Sequence, residues 1–170
     1  MNPLRQYIRH LLTEAMQTTR LHHSRGDGRI GREVNFGPYP QLSAEAQVGP
    51  SKPDGIWYDC EGSWKNFCET ELGSYDQRGY DIVYEIIPNE SAILFITNKQ
   101  EFEEFEKTYG RPGKYELVID WARVAEEYAG IEICPYRREM RMDHFWYYPW
   151  DVASGCIWAP GGAEAVEKKC

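Results

Sequence analysis

Five side chains that could act as acids, bases or hydrogen-bonding groups stand beside strand-like or tryptophan-rich segments of this chain. They are His22, His23, Ser63, Glu132 and Asp151. A carboxylate can stabilise positive charge that develops in a transition state, and an imidazole or hydroxyl can orient a substrate. Taken singly, each has a simpler interpretation as a structural histidine or a solvated charge. Their shared placement indicates one ligand pocket that contains a histidine, Ser63 and at least one carboxylate.

Two aromatic segments flank these polar residues. Five of the six tryptophans lie within residues 51–64 and 146–158, where they alternate with Gly, Ser and Asp. Ligand pockets have mostly aromatic or apolar walls with a few placed polar groups. The competing interpretation is an aromatic core whose indole N–H groups find local acceptors.

Composition limits the class of protein and its partners. The 170 residues are 42% hydrophobic and 27% charged, which is typical of one soluble globular domain, and no apolar run approaches a membrane span. Residues 1–32 carry a balance of +4, so the remainder carries −12 of the total of −8. This acidic body repels phosphate backbones and favours a protein partner over nucleic acid.

The cysteine pattern predicts neither a metal site nor disulfides. Five cysteines are present, none in a C-x-x-C pair and none with a histidine at zinc-ligand spacing. We therefore expect reduced thiols, no metal and a cytoplasmic location.

Hydrophobic periodicity and turn signals position these groups. Short strands are predicted at residues 19–24, 56–58, 81–87, 91–96, 115–119, 131–133 and 154–158, with helices after Thr97 and Asp120. Thr97 and Gln100 form an expected capping box, and residues 161–170 look like a tail. Many short strands with few helices and no β-α-β rhythm predict one compact α+β domain.

An amphipathic helix is predicted over residues 1–18. Asn2 and Pro3 suit its first positions, and apolar residues follow at helical spacing. Such a stripe usually packs on the domain, although the helix could also dock on a partner protein.

Several of these segments together resemble the diverse phage and bacterial ADP-ribosyltransferase-like proteins. The segment 21–23 is similar to the family's L-x-H strand end, with His23 in the histidine position. The segment 52–58, Lys-Pro-Asp-Gly-Ile-Trp-Tyr, resembles K-P-x-G-L-W, and Asp59 stands where the family often carries Ser, a position we assign to Ser63. Asp151 or Glu132 takes the late acidic position, and residues 4–9 resemble N-terminal helices of phage-encoded proteins.

The resemblance implies a fold, a substrate and roles for residues. The fold is a split sheet over residues 19–160, and the substrate is NAD, cleaved at its nicotinamide–ribose bond without a metal. The implied catalytic residues are Asp151, Glu132 and His23. The implied NAD-binding residues are His22, Lys52, Gly55, Trp57, Tyr58, Ser63 and Trp64.

The bond cleavage builds an oxocarbenium-like centre, as in glycoside hydrolysis. Asp151 is favoured over Glu132 as the carboxylate that stabilises this centre, because Glu132 fits the solvent-facing position of an alternating strand. The expected acceptor is a host macromolecule, in the host cytoplasm if the chain is phage-encoded. Two alternatives stay open: a non-enzymatic virion or host-interaction protein, and a nucleotide-binding module without turnover.

Overall fold

The computed structural model describes residues 18–24, 52–76, 79–80, 82–113 and 116–169. The predicted helix over 1–18 lies outside these residues except for its last position. Among the helices described, none combines the length and apolar character that crossing a membrane requires.

A seven-stranded sheet forms the centre of the domain. Its order is β4-β7-β8-β2-β1-β3-β9, in which β4 and β7 pair parallel and all other neighbours pair antiparallel. A separate hairpin joins β5 to β6. The strands are β1 (Arg20–Ser24), β2 (Ile56–Cys60), β3 (Ile82–Pro88), β4 (Ile93–Ile96), β5 (Gly110–Pro112), β6 (Leu117–Ile119), β7 (Gly130–Ile133), β8 (Ser154–Ile157) and β9 (Ala163–Lys168).

In the described part of the chain, three α-helices accompany the sheet: α1 (Ser63–Glu71), α2 (Lys99–Tyr109) and α3 (Trp121–Glu127). A short 3-10 helix follows at Arg138–Met140. Asp120 caps α3 as predicted, because its carboxylate accepts from the Arg123 amide. The capping box of α2 lies one residue later than predicted. Asn98 accepts from the Glu101 amide at 2.9 Å, and the Glu101 carboxylate accepts from the Thr97 amide at 2.8 Å.

The two faces of the sheet bury different clusters because side chains alternate along each strand. On one face, Ile131, Ile133 and Cys156 pack with α2, α3 and most of the second aromatic segment. Trp146, Tyr147, Trp150 and Trp158 are all buried there, so the core interpretation holds for that segment. The other face buries a smaller cluster of Tyr58, Ile86, Ile93 and Ile157.

The end of the chain differs from the predicted tail. Ala163–Lys168 is strand β9, which pairs antiparallel with β3 at the edge of the sheet. The sequence Ala-Glu-Ala-Val-Glu-Lys does not alternate strictly between apolar and polar residues, so no period-two signal marked this strand. Lys169 continues the contact by donating its amide to the Val83 carbonyl at 2.8 Å.

The prediction that all cysteines are reduced is wrong for two of them. Cys60, at the end of β2, forms a disulfide with Cys134, directly after β7. The two lie 74 residues apart in sequence, and no spacing motif connects them. Cys68 and Cys156 are buried and take no part in a disulfide.

Candidate functional site

A split between β1 and β2 creates the candidate site. The two strands pair only at Arg20↔Cys60 and Leu21↔Asp59, after which β1 continues along β3 and β2 continues along β8. Beyond these two pairs, a side-chain contact replaces the backbone hydrogen bonds between the strands: Nδ1 of His22 lies 2.5 Å from the Trp57 carbonyl oxygen. The diverging strands therefore expose both edges to a cleft of about 240 Å³.

Seven of the ten residues predicted for the site line this cleft. They are His22, His23, Lys52, Trp57, Tyr58, Trp64 and Asp151. The structure adds five residues that were not predicted as site residues: Leu21, Asp59, Tyr80, Val152 and Ser154. Gly55, Ser63 and Glu132 do not line this cleft. The expected pocket therefore contains both histidines and Asp151 but lacks Ser63.

Tryptophan and tyrosine residues form part of the cleft wall. The Trp57 ring packs edge-on against buried Trp150, with 4.9 Å between the ring centres. The Lys52 ammonium lies 4.7 Å from the Trp57 ring centre, a cation–π contact. Across the cleft, Trp64 and Tyr80 meet edge to face at 6.4 Å. The first aromatic segment thus forms pocket walls, whereas the second forms core.

His22 presents an unused acceptor. Because a carbonyl oxygen can only accept, the hydrogen bond to Trp57 places the ring proton on Nδ1. Burial lowers the pKa of His22, which keeps the ring neutral and leaves Nε2 as a bare lone pair. Within the described parts of the chain, that nitrogen has no hydrogen-bond partner. The same nitrogen is shielded from solvent.

His23 contacts protein atoms through both ring nitrogens. Nδ1 lies 2.6 Å from the Tyr75 hydroxyl, and Nε2 lies 3.3 Å from Asp59 Oδ1. Burial, followed by the charge of Asp59, raises the pKa of Tyr75 to about 12, so its hydroxyl remains a donor. His23 therefore has no free nitrogen to offer a substrate in this arrangement.

Asp151 lies at the open side of the cleft. Its carboxylate accepts from Arg141 Nη2 at 3.0 Å, and the side chains of both residues are about one-third exposed (30% and 31%). Asp151 and Val152 also line a larger neighbouring cavity of about 550 Å³ between α1 and the segment around Arg138. Ser63 lies in that second cavity, where its hydroxyl donates to the Ala153 carbonyl at 3.1 Å.

Glu132 belongs to a buried polar cluster on the opposite face of the sheet. It accepts from Arg20 Nε at 2.6 Å, from Arg20 Nη2 at 3.0 Å and from the Tyr58 hydroxyl at 3.0 Å. Only 4% of the residue is exposed, so its interpretation as a solvent-facing strand position is wrong. Its carboxylate also lies within 4.8 Å of the Cys60 and Cys134 sulfurs, which are bonded to each other.

Gly55 serves packing rather than the cleft wall. A Cβ at this position would collide with the Ile157 carbonyl and the Cys156 sulfur. The glycine therefore allows the start of β2 to approach β8 closely.

The most informative site residue that the sequence did not identify is Asp59. It lies on the cleft side of β2, two positions from Trp57, so strand alternation could have placed it there. Only 3% of the residue is exposed. A buried aspartate must be paired or hydrogen-bonded, which makes its partners worth examining.

Comparison with protein-family models, with curated proteins and with solved structures gives no significant match to this chain.

Proposed function

We propose that this chain is an ADP-ribosyltransferase-like enzyme that cleaves the nicotinamide–ribose bond of NAD and modifies a host protein. The observation that carries the proposal is the cleft at the split between β1 and β2, where two histidines, two tryptophans and one partly exposed carboxylate meet. The α+β sheet that opens between two central strands is also what the resemblance of residues 21–23 and 52–58 implies.

The size of the cleft fits part of a dinucleotide. Sites for drug-sized ligands usually enclose roughly 300–1,000 Å³. A cleft of about 240 Å³ holds a planar ring and an attached sugar, and leaves the remainder of a larger ligand outside. Trp57, Trp64 and Tyr80 offer ring faces and edges for the nicotinamide, and His22 lines the same cleft.

The chemistry assigned to Asp151 is electrostatic. When the C–N glycosidic bond breaks, its electron pair leaves with nicotinamide and the ribose carbon acquires positive charge. A carboxylate beside that carbon stabilises the charge, and aromatic walls exclude water that would otherwise compete with the acceptor. The acceptor nucleophile then bonds to the same carbon and loses its proton.

A nucleotide-binding module without turnover is the second candidate, and one contact favours it. Arg141 already neutralises Asp151 at 3.0 Å, which weakens the pull of the carboxylate on a developing cation. Turnover then requires that substrate entry displaces Arg141. Binding alone requires no such rearrangement.

Release of nicotinamide from NAD, followed by chromatography, tests the proposal. Wild-type protein with an added mixture of acceptor proteins should release nicotinamide, and Asp151→Asn should lower the rate by a factor on the order of 100. Asp143→Asn is the matched control because Asp143 is exposed and lines neither cavity. NAD binding without release would support the binding module instead, and neither binding nor release would overturn both candidates.

A further inference from the structure

Asp59 connects three separate elements at the mouth of the split. It lies on β2, its Oδ1 faces His23 on β1, and its Oδ2 accepts from the Trp64 amide of α1 at 2.6 Å. His23 and Trp64 both line the cleft. Their relative position is therefore set through one buried carboxylate.

The first turn of α1 shows why an acid is needed there. Gly62 occupies the N-cap and offers no side-chain acceptor, and the first turn of the helix contains no acidic residue. The free amides at a helix start need an acceptor and carry a partial positive charge. Asp59 supplies both the acceptor and the negative charge from a neighbouring strand.

The same carboxylate fixes the protonation pattern of His23. An ionised carboxylate can only accept, so it requires a proton on Nε2 of the ring. The neutral ring then has a bare Nδ1, which accepts from the Tyr75 hydroxyl at 2.6 Å. Hydrogen bonds therefore run in one direction, from Tyr75 through His23 to Asp59.

We propose that Asp59 is a positioning residue of the cleft, which holds His23 in its Nε2–H tautomer and fixes the backbone of Trp64. Only the expected effect of Asp59 on NAD turnover rests on the proposed function. The residue acts through His23 and Trp64 and does not itself touch the reacting atoms. Asp59, which stands where the resembling family often carries Ser, therefore has a positioning role.

Asp59→Asn tests the proposal because it changes the charge and keeps the shape. The Asn carbonyl can still accept from the Trp64 amide, which turns its NH₂ group toward His23. Nε2 must then accept, so the proton of the neutral ring should move to Nδ1 and be donated to the Tyr75 oxygen. Long-range ¹H–¹⁵N spectra of the imidazoles, recorded above the titration midpoint observed for the ring, distinguish the two tautomers.

Tyr75→Phe is the matched control. It removes the partner of Nδ1 and leaves the Asp59 contact, so His23 should keep the Nε2–H tautomer. An Nε2–H ring in Asp59→Asn would overturn the proposal. If that variant does not fold, the wild-type spectrum still decides, because an Nδ1–H tautomer in the wild type would overturn it equally.

The effect on NAD is measured separately. If the wild type turns over NAD, Asp59→Asn should lower kcat/KM by roughly 10- to 100-fold, the loss expected when a site shifts by a fraction of an ångström to 1 Å. An unchanged kcat/KM together with a switched tautomer would remove the role in the site. If the wild type does not turn over NAD, the proposed function fails while the tautomer measurement still tests the role of Asp59.

Discussion

The hydroxyl of Tyr58 on β2 reaches across strand β8 and donates a 3.0 Å hydrogen bond to Glu132 on β7. Between them stands Gly155, which is in register with Tyr58 on one side and with Glu132 on the other. A Cβ on Gly155 would occupy the space of the Tyr58 ring. The absence of a side chain at Gly155 therefore leaves room for the Tyr58 ring.

Gly155→Ala should therefore destabilise the fold. The added methyl group displaces the Tyr58 ring and separates its hydroxyl from Glu132, so we expect the free energy of unfolding to fall by about 2–4 kcal/mol. Urea denaturation of Gly155→Ala, Tyr58→Ala and the double variant checks the mechanism. The two effects should be clearly less than additive, because both variants remove the same contact. Simple additivity would contradict it.

Glu132→Gln should lower the free energy of unfolding strongly and should leave NAD binding in the cleft largely unchanged. Burial alone lowers the pKa of Arg20, but the hydrogen bond and the charge of Glu132 more than offset this, so the pKa is raised. Loss of the Glu132 charge leaves a buried guanidinium without its counter-ion, at a cost of about 3–5 kcal/mol.

The thermal midpoint and NAD binding are the two measurements for Glu132→Gln. A large fall in the midpoint with NAD affinity retained below that midpoint is the expected combination. Full stability with lost turnover would instead restore Glu132 to a catalytic role.

The disulfide should stabilise the domain by linking β2 to the end of β7. A cross-link between residues 74 positions apart restricts the unfolded chain, a contribution of about 3–5 kcal/mol in the chain-entropy account. Denaturation of wild type with and without reductant should show this difference, and the Cys60→Ala/Cys134→Ala variant should no longer respond to reductant. Mass spectrometry after alkylation should find Cys60 and Cys134 unlabelled until the protein is reduced.

The buried ring of His22 should make stability depend on pH below neutrality. Burial lowers the pKa of this histidine in the folded protein, so the unfolded chain binds the proton more readily. Stability should thus fall as pH drops below about 6.5, the ordinary histidine value, and should level off below the lowered folded pKa.

His22→Asn is the matched variant for this pH dependence. Its side-chain amide can donate to the Trp57 carbonyl as Nδ1 does, and it does not titrate. In denaturation series across this pH range, the free energy of unfolding should depend on pH less steeply in the variant than in the wild type, by up to about 1.4 kcal/mol per pH unit. An unchanged slope would assign the pH dependence to other groups.

Most of the local structure follows from short-range sequence patterns. Alternating apolar residues and turn signals placed β1, β2, β7 and β8, and the Asp120 cap placed α3, because these features depend on contacts within a few residues. Short motifs also identified seven of the lining residues, four of which lie within the single segment 52–64.

The roles of the carboxylates, in contrast, depend on long-range contacts. Asp59, Glu132 and Asp151 have similar sequence surroundings of alternating or aromatic residues, yet one holds His23 and Trp64, one neutralises Arg20, and one faces the cleft mouth. The partner of Glu132 is 112 residues away, and the partner of Cys60 is 74 residues away. Such pairings depend on strand order and on the face to which each side chain points, and no pattern within a short window specifies either.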